Sequence, residues 1–293
     1  MNYSNETYAS AGTQPEEFSI TNYIFQPGDL TEGHVSYTEY CQAPGVAFFN
    51  FCKRLNESVE TFKEHEFDQE RHKFPRERLP IVQYYVNSAY ALLMGHFETY
   101  QKRVFAGVFE KSVYLEDFHK GSFLSRLGIK GDKVSITTEH LLAARGGEEE
   151  ISIGILLADS LGSWHDPGNF CKFFCAFTNQ QKQHIFGQIL EDQQKEVLAE
   201  MWQVRHSIVH TAATLTKSDA LKVSSLEKYS GQTLVMKVNT IYESQKYLLS
   251  VVRSINKKIE AGFNSQMPVG ASHRKREEIR KLLSVPDWAQ ETD

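Results

Sequence analysis

The sequence predicts an all-α protein, and three stretches carry that expectation. Between positions 46 and 67 the apolar residues Phe48, Phe51, Leu55, Val59 and Phe62 recur every three or four positions, the period of an amphipathic helix. From Pro80 to Val113 the residues Val82, Val86, Ala89, Leu93, Phe97, Tyr100 and Val104 form an apolar face wide enough to be covered on more than one side, as in a helical bundle. Ile241, Leu248, Val251, Val252, Ile255 and Ile259 mark a last long helix that stops near Gly262.

The remaining elements follow from punctuation. Residues 1 to about 45 are polar, with turn signals at Gln26-Pro27-Gly28 and Ala43-Pro44-Gly45, and read as an irregular arm. A charged run from Lys63 to Arg78 containing Pro75 reads as a connection. Pro80 suits the first turn of the helix that follows, where no amide proton is needed. The glycine-rich stretch from 114 to 166 predicts helical pieces over 137–144 and 148–161 and a small strand over 134–136. Trp164-His165-Asp166-Pro167-Gly168-Asn169 reads as a turn. Helices are expected over 170–178 and 189–214, then a polar linker over 217–231. The tail carries the basic cluster His273-Arg274-Lys275-Arg276 and a short amphipathic stretch ending at Leu283. The expected organisation is an N-terminal extension (1–75) with one helix, a helical domain (76–263) interrupted by a variable insertion (114–169), and a basic tail (264–293).

Composition bounds the function classes. With 293 residues and 41% hydrophobic content the chain has enough apolar material for a proper core. A net charge of -5 provides no global attraction for nucleic acid, so contact with a polyanion has to rest on a local patch. Four cysteines, none in C-x-x-C spacing, are too few for a disulfide scaffold. The first 15 residues are polar, and no stretch approaches the roughly 20 apolar residues of a membrane span, so a cytoplasmic protein is expected.

The densest chemistry lies at Arg205-His206-Ser207-Ile208-Val209-His210. Arg205 stays charged at any physiological pH, and the two histidines titrate near neutrality. On a helix His206 and His210, four apart, lie one above the other, while Arg205 and His210 emerge about 140° apart, a gap the arginine's length spans. Crowding of three cationic or titratable groups is expected to depress the histidine pKa values and leave an imidazole neutral, able to act as a base. RNA cleavage without metal needs a base for the 2′-hydroxyl, a cation for the crowded phosphorane and an acid for the departing 5′-oxygen. Histidine and arginine supply all three, and two copies of the motif brought together across a two-fold axis would provide enough of them.

Arg205-His206-x-x-x-His210, set in the third long helix of a helical segment, resembles the R-x4-6-H motif of the HEPN superfamily, in the form with a polar residue directly after the arginine. The layout is similar too: an early long helix ending Phe97-Glu98-Thr99-Tyr100, a variable middle, the motif helix and a closing helix, over about Pro80 to Gly262. The resemblance implies an antiparallel HEPN-like bundle and a metal-independent endoribonuclease without cofactor, acting as a homodimer on an RNA substrate. A role as toxin or anti-phage effector, with an antitoxin or sensor partner, goes with that family. By carry-over, Arg205 binds the scissile phosphate, His210 is the acid or base and His206 orients or tunes it; Glu98 is placed as an orienter behind Arg205.

Other readings compete. A catalytically inactive HEPN-like adaptor or nucleotide-binding module keeps the helices without needing Arg205 and His210. His206 and His210 at i, i+4 match paired zinc ligands, but Ser207 stands where the H-E-x-x-H base belongs. Cys171 and Cys175, with His165 and His184 nearby, form a second candidate metal cluster whose Phe-rich surroundings favour a core role. Arg274, Lys275 and Arg276 are candidate RNA-binding residues.

Overall fold

Helices account for the regular structure of the described residues. The computed structural model describes residues 35–116, 118, 119, 123, 125–127, 152–286 and 288. The expected strand over 134–136 and helix over 137–144 lie outside the described residues. Among the described residues the only β pairings are isolated bridges, such as Thr214 with Thr233. The fold is all-α, as the periodicity predicts.

A short helix, α1 (Tyr37–Gln42), falls inside the arm expected to be irregular. Six residues are too few to show a period, but a capping box starts it: Ser36 Oγ accepts from the Glu39 amide at 3.2 Å, and the Ser36 amide donates to Glu39 Oε2 at 2.6 Å. α2 (Pro44–Glu66) opens on proline and buries Phe48, Phe49, Phe51, Cys52, Leu55 and Val59. Its side chains join the same hydrophobic core as those of the later helices, so the boundary expected at residue 75 falls within continuous packing.

The axis of the molecule is α3 (Leu79–Lys111), a 33-residue helix about 50 Å long with apolar side chains buried along its whole length. It packs against α2, against α4 (Ile153–Ser160), and against α6 (Asp192–His210) and α8 (Asn239–Gln266). Phe105 of α3 meets Trp164, Phe173, Phe174 and Phe177 edge to face, with ring centroids 5.5 to 6.1 Å apart. Those partners sit in and around α5 (Pro167–Cys175). The expected turn is present at Trp164-His165, where the Asp166 amide donates to the Ser163 carbonyl at 3.1 Å, and it leads straight into the helix: Asp166 caps α5 by accepting from the Gly168 and Asn169 amides, and Pro167 takes the first position.

A buried polar junction ties the two ends together. The Tyr100 hydroxyl donates to Asn256 Oδ1 at 2.8 Å, and Asn256 Nδ2 donates to the Leu283 carbonyl at 2.9 Å. This links α3, α8 and α9 (His273–Leu283), whose Ile279, Leu282 and Leu283 are buried. The tail thus packs on the bundle through one face and presents its basic face outward.

α6 ends at His210, four residues short of the expected helix. The cause is local: Ala212 and Ala213 take positive φ of 51° and 62°, and the Thr211 hydroxyl donates to the Ser207 carbonyl at 3.0 Å. The Ala213 amide also returns to the Ser207 carbonyl, closing the helix end. The chain then forms α7 (Lys217–Ala220) and a 3-10 segment (Ser224–Tyr229), with a small core of Leu215, Ala220 and Leu226.

Two glycines in this frame have opposite demands. A Cβ on Gly154 of α4 would stand 2.5 Å from the Ala106 carbonyl oxygen of α3, whereas a Cβ on Gly95 of α3 would meet nothing within 4 Å. Gly154→Ala is expected to destabilise by about 1–3 kcal/mol because backbone has to move. Gly95→Ala is expected to stabilise by about 0.5–1 kcal/mol through helix propensity alone. Urea unfolding midpoints of the two variants check both signs.

Candidate active site

The last three turns of α6 form one wall of an open cleft of about 640 Å³. Ala199, Trp202, Gln203, Arg205, His206 and His210 line it from that helix. His165, Asp166 and Pro167 enter from the start of α5, and Lys222 and Val223 from the segment after α7. The three residues of the motif therefore share one cavity. Arg205 lines it despite its angular offset from His210, as its reach allows.

The helix is held by its apolar side. Trp202 is 4% exposed, with its ring 6.3 Å from Phe97 of α3 and 5.4 Å, edge to face, from His165. The Tyr90 hydroxyl of α3 donates to the Met201 carbonyl, and Ser225 hydrogen-bonds Glu200. At the start of α6 the Glu191 amide donates to Gln194 Oε1 at 3.0 Å in a capping box.

His206 and His210 face each other with ring centroids 4.7 Å apart. His206 is half-exposed and its Nε2 lies 3.9 Å from Asp219 Oδ1; His210 is exposed. Asp219 is buried, and it accepts from Lys222 Nζ at 2.8 Å and from the Thr216 hydroxyl at 2.7 Å. These two hydrogen bonds, that of Lys222 first, hold the Asp219 carboxyl below the usual carboxylate range. Burial lowers the His206 imidazole from its ordinary value; Asp219 opposes this, while His210, Lys222 and Arg205 add to it. The expected depression thus holds for His206, with desolvation ahead of crowding.

The hydrogen-bond balance of the cleft is lopsided. Its carboxylates are engaged: Asp166 in capping α5, Asp219 with Lys222 and Thr216, and Glu98 behind the wall with Lys102 at 2.8 Å and His165 Nδ1 at 3.4 Å. Its donors are not. Trp202 Nε1, Gln203 Nε2 and Arg205 Nε are buried without hydrogen-bond partners. Each such group costs about 1–3 kcal/mol, which an acceptor in the cleft would recover. An oxyanion is the ligand this pattern favours.

Glu98, expected behind Arg205, pairs instead with Lys102 and His165 and does not line the cleft. Arg274, Lys275 and Arg276 do not line the cleft; Arg274 pairs with Glu278 on α9 and Lys275 lies over the Tyr114 ring at 5.2 Å. Cys171 and Cys175 have thiols raised by burial, and the His184 ring bonds the Cys175 carbonyl. Among the described residues no group of three or more His, Cys, Asp or Glu side chains gathers as a metal site.

Trp202, Gln203, Asp219 and Lys222 are not among the residues the sequence singles out for the site, and His165 was expected beside Cys171 and Cys175 instead. The α6 members were legible: Ala199, Trp202 or Gln203, His206 and His210 follow the three-and-four spacing of one helical face. Asp219 and Lys222 carried no such signal, because the left-handed pair at Ala212 and Ala213 that returns them to α6 has no glycine to mark it.

The histidine shift has a definite sign. In the folded protein His206 releases its proton below the ordinary histidine range, so stability should fall as the pH drops through the ordinary histidine value and the unfolded chain takes up the proton first. Above that value this contribution is constant. Asp219→Asn removes the one group that favours the imidazolium and should lower the His206 titration midpoint further. Ring-proton NMR titration of wild type and variant measures this, and a midpoint that rises would contradict the assigned balance.

The chain matches no protein-family model, no curated protein and no solved structure.

Proposed function

We propose that the cleft on α6 is the active site of a metal-independent RNA endonuclease of the HEPN type. The observation that carries this reading is the convergence of Arg205, His206 and His210 on one cleft whose buried donors lack acceptors. A phosphodiester supplies acceptors, and it is the substrate on which a guanidinium and two imidazoles have work to do.

In the proposed reaction Arg205 holds a non-bridging phosphate oxygen, with Trp202 and Gln203 as further donors. His210, as the base, takes the proton from the ribose 2′-hydroxyl, and His206, whose imidazole burial keeps neutral near pH 7, orients and tunes it. The 2′-oxygen attacks phosphorus, the bond to the 5′-oxygen breaks, and an imidazolium protonates that leaving oxygen. The products are a 2′,3′-cyclic phosphate and a free 5′-hydroxyl. Arg205 offsets the charge that builds on the phosphorane oxygens.

In-line displacement places the attacking and leaving oxygens on opposite sides of phosphorus. His206 and His210 stand side by side on one helix, 4.7 Å between centroids, and so approach from the same side. The opposing group then comes from a second copy of the chain across a two-fold axis, as the resemblance implies. The exposure of His210 and its neighbour Val209 supports such a contact.

Arg205→Ala and His210→Ala are each expected to lower cleavage of a defined RNA in EDTA by about 100-fold or more, with the fold unchanged by circular dichroism. Wild-type products should carry 2′,3′-cyclic phosphate ends. Cleavage that persists in both variants, or that EDTA abolishes in the wild type, would overturn the assignment.

A further inference from the structure

A second cavity of about 400 Å³ lies on α3 away from the α6 cleft, between the first turn of α4 and the inner edge of α9. Its most unusual member is Arg103. This side chain is 4% exposed, far less than a guanidinium normally tolerates. One nitrogen, Nη2, donates to Asp159 Oδ1 at 2.5 Å, and the Tyr37 ring lies over the guanidinium carbon at 4.8 Å. Nε and Nη1 are buried with no hydrogen-bond partner. A buried cation with two unanswered donors is costly unless something with acceptors completes it.

The other charges around the cavity show what that something is. Lys111 Nζ is committed to Glu278 at 2.6 Å, and Glu278 also accepts from the Tyr114 hydroxyl. Glu110 accepts from the Gly154 amide at 2.5 Å, so the first turn of α4 has spent that donor on the protein itself. Asp159 is half-exposed and takes only one of the Arg103 nitrogens. Exposed Lys281 adds a third cation at the rim. The unsatisfied groups are donors, which calls for an anion, while Glu110 and Glu278 on the same walls disfavour a doubly charged one. Ala106, Ile155 and Leu282 give the cavity an apolar side.

We propose that this cavity binds a small organic monocarboxylate, its carboxylate on Arg103 and Lys281 and its apolar body against Ala106, Ile155 and Leu282. A carboxylate matches the planar fork of a guanidinium, and the volume accommodates a short aliphatic acid. The site is separate from the proposed nuclease cleft and does not depend on that reading.

The test is a titration of the full-length chain with sodium hexanoate at fixed ionic strength, followed through the side-chain Nε–Hε resonance of Arg103 in nitrogen-proton correlation spectra. Hexanamide and inorganic phosphate serve as the neutral and the multiply charged controls. Hexanoate is expected to move the Arg103 signal saturably, with both controls moving it far less. Lys281→Glu, a change at an exposed position that leaves the core intact, should weaken binding about fivefold or more. Binding should persist in Arg205→Ala, which separates this cavity from the α6 cleft. An unmoved Arg103 signal, an equal response to phosphate or hexanamide, or unchanged affinity in Lys281→Glu would overturn the proposal.

Discussion

Burial of Trp202 against α3 is the constraint on which the candidate site rests. A large ring packed beside Phe97 and His165 fixes the rotation of α6 about its own axis. Removing such a ring costs about 3–5 kcal/mol, so the helix has little freedom to turn. With Trp202 inside, the neighbouring positions 203, 205, 206 and 210 are carried to the cleft. The placement of the polar groups follows from the packing of an apolar one.

The second constraint is the abrupt end of α6. Had the helix continued to Thr214, the chain would have left the cleft in the direction of the axis. The left-handed conformations at Ala212 and Ala213 instead turn it back, and the bridge between Thr214 and Thr233 secures the return. Asp219 and Lys222 thereby arrive beside His206, and Ser225 docks on Glu200. Non-glycine residues at such φ carry strain, which the surrounding hydrogen bonds of Thr211 and Ala213 hold in place.

What the sequence disclosed follows a physical line. Long helices announce themselves by period, so α2, α3 and α8 were legible from Phe48, Phe97 and Val252 and their neighbours, and α6 was expected over 189–214. Short elements have no period to show. α1 was readable only through Ser36 and Glu39, and α5 was expected three residues late, from 170, because its Asp166 cap and Pro167 follow directly on a turn. For the site, the motif residues and their helical face were legible, whereas His165, Asp219 and Lys222 depend on tertiary return of the chain. Glu98 was placed near the site by layout, and its actual partner, His165, belongs to a different segment altogether.

The central claim is that Trp202, Arg205, His206 and His210 jointly receive a phosphodiester. A 2′-O-methyl RNA oligonucleotide, which lacks the attacking hydroxyl, should bind without being cut. Titrating it into the chain in EDTA while recording the Trp202 indole N–H and the His206 and His210 ring signals tests the claim directly. All three are expected to move together and saturate at one affinity. Binding that leaves these signals in place while shifting resonances elsewhere on the molecule would contradict the account.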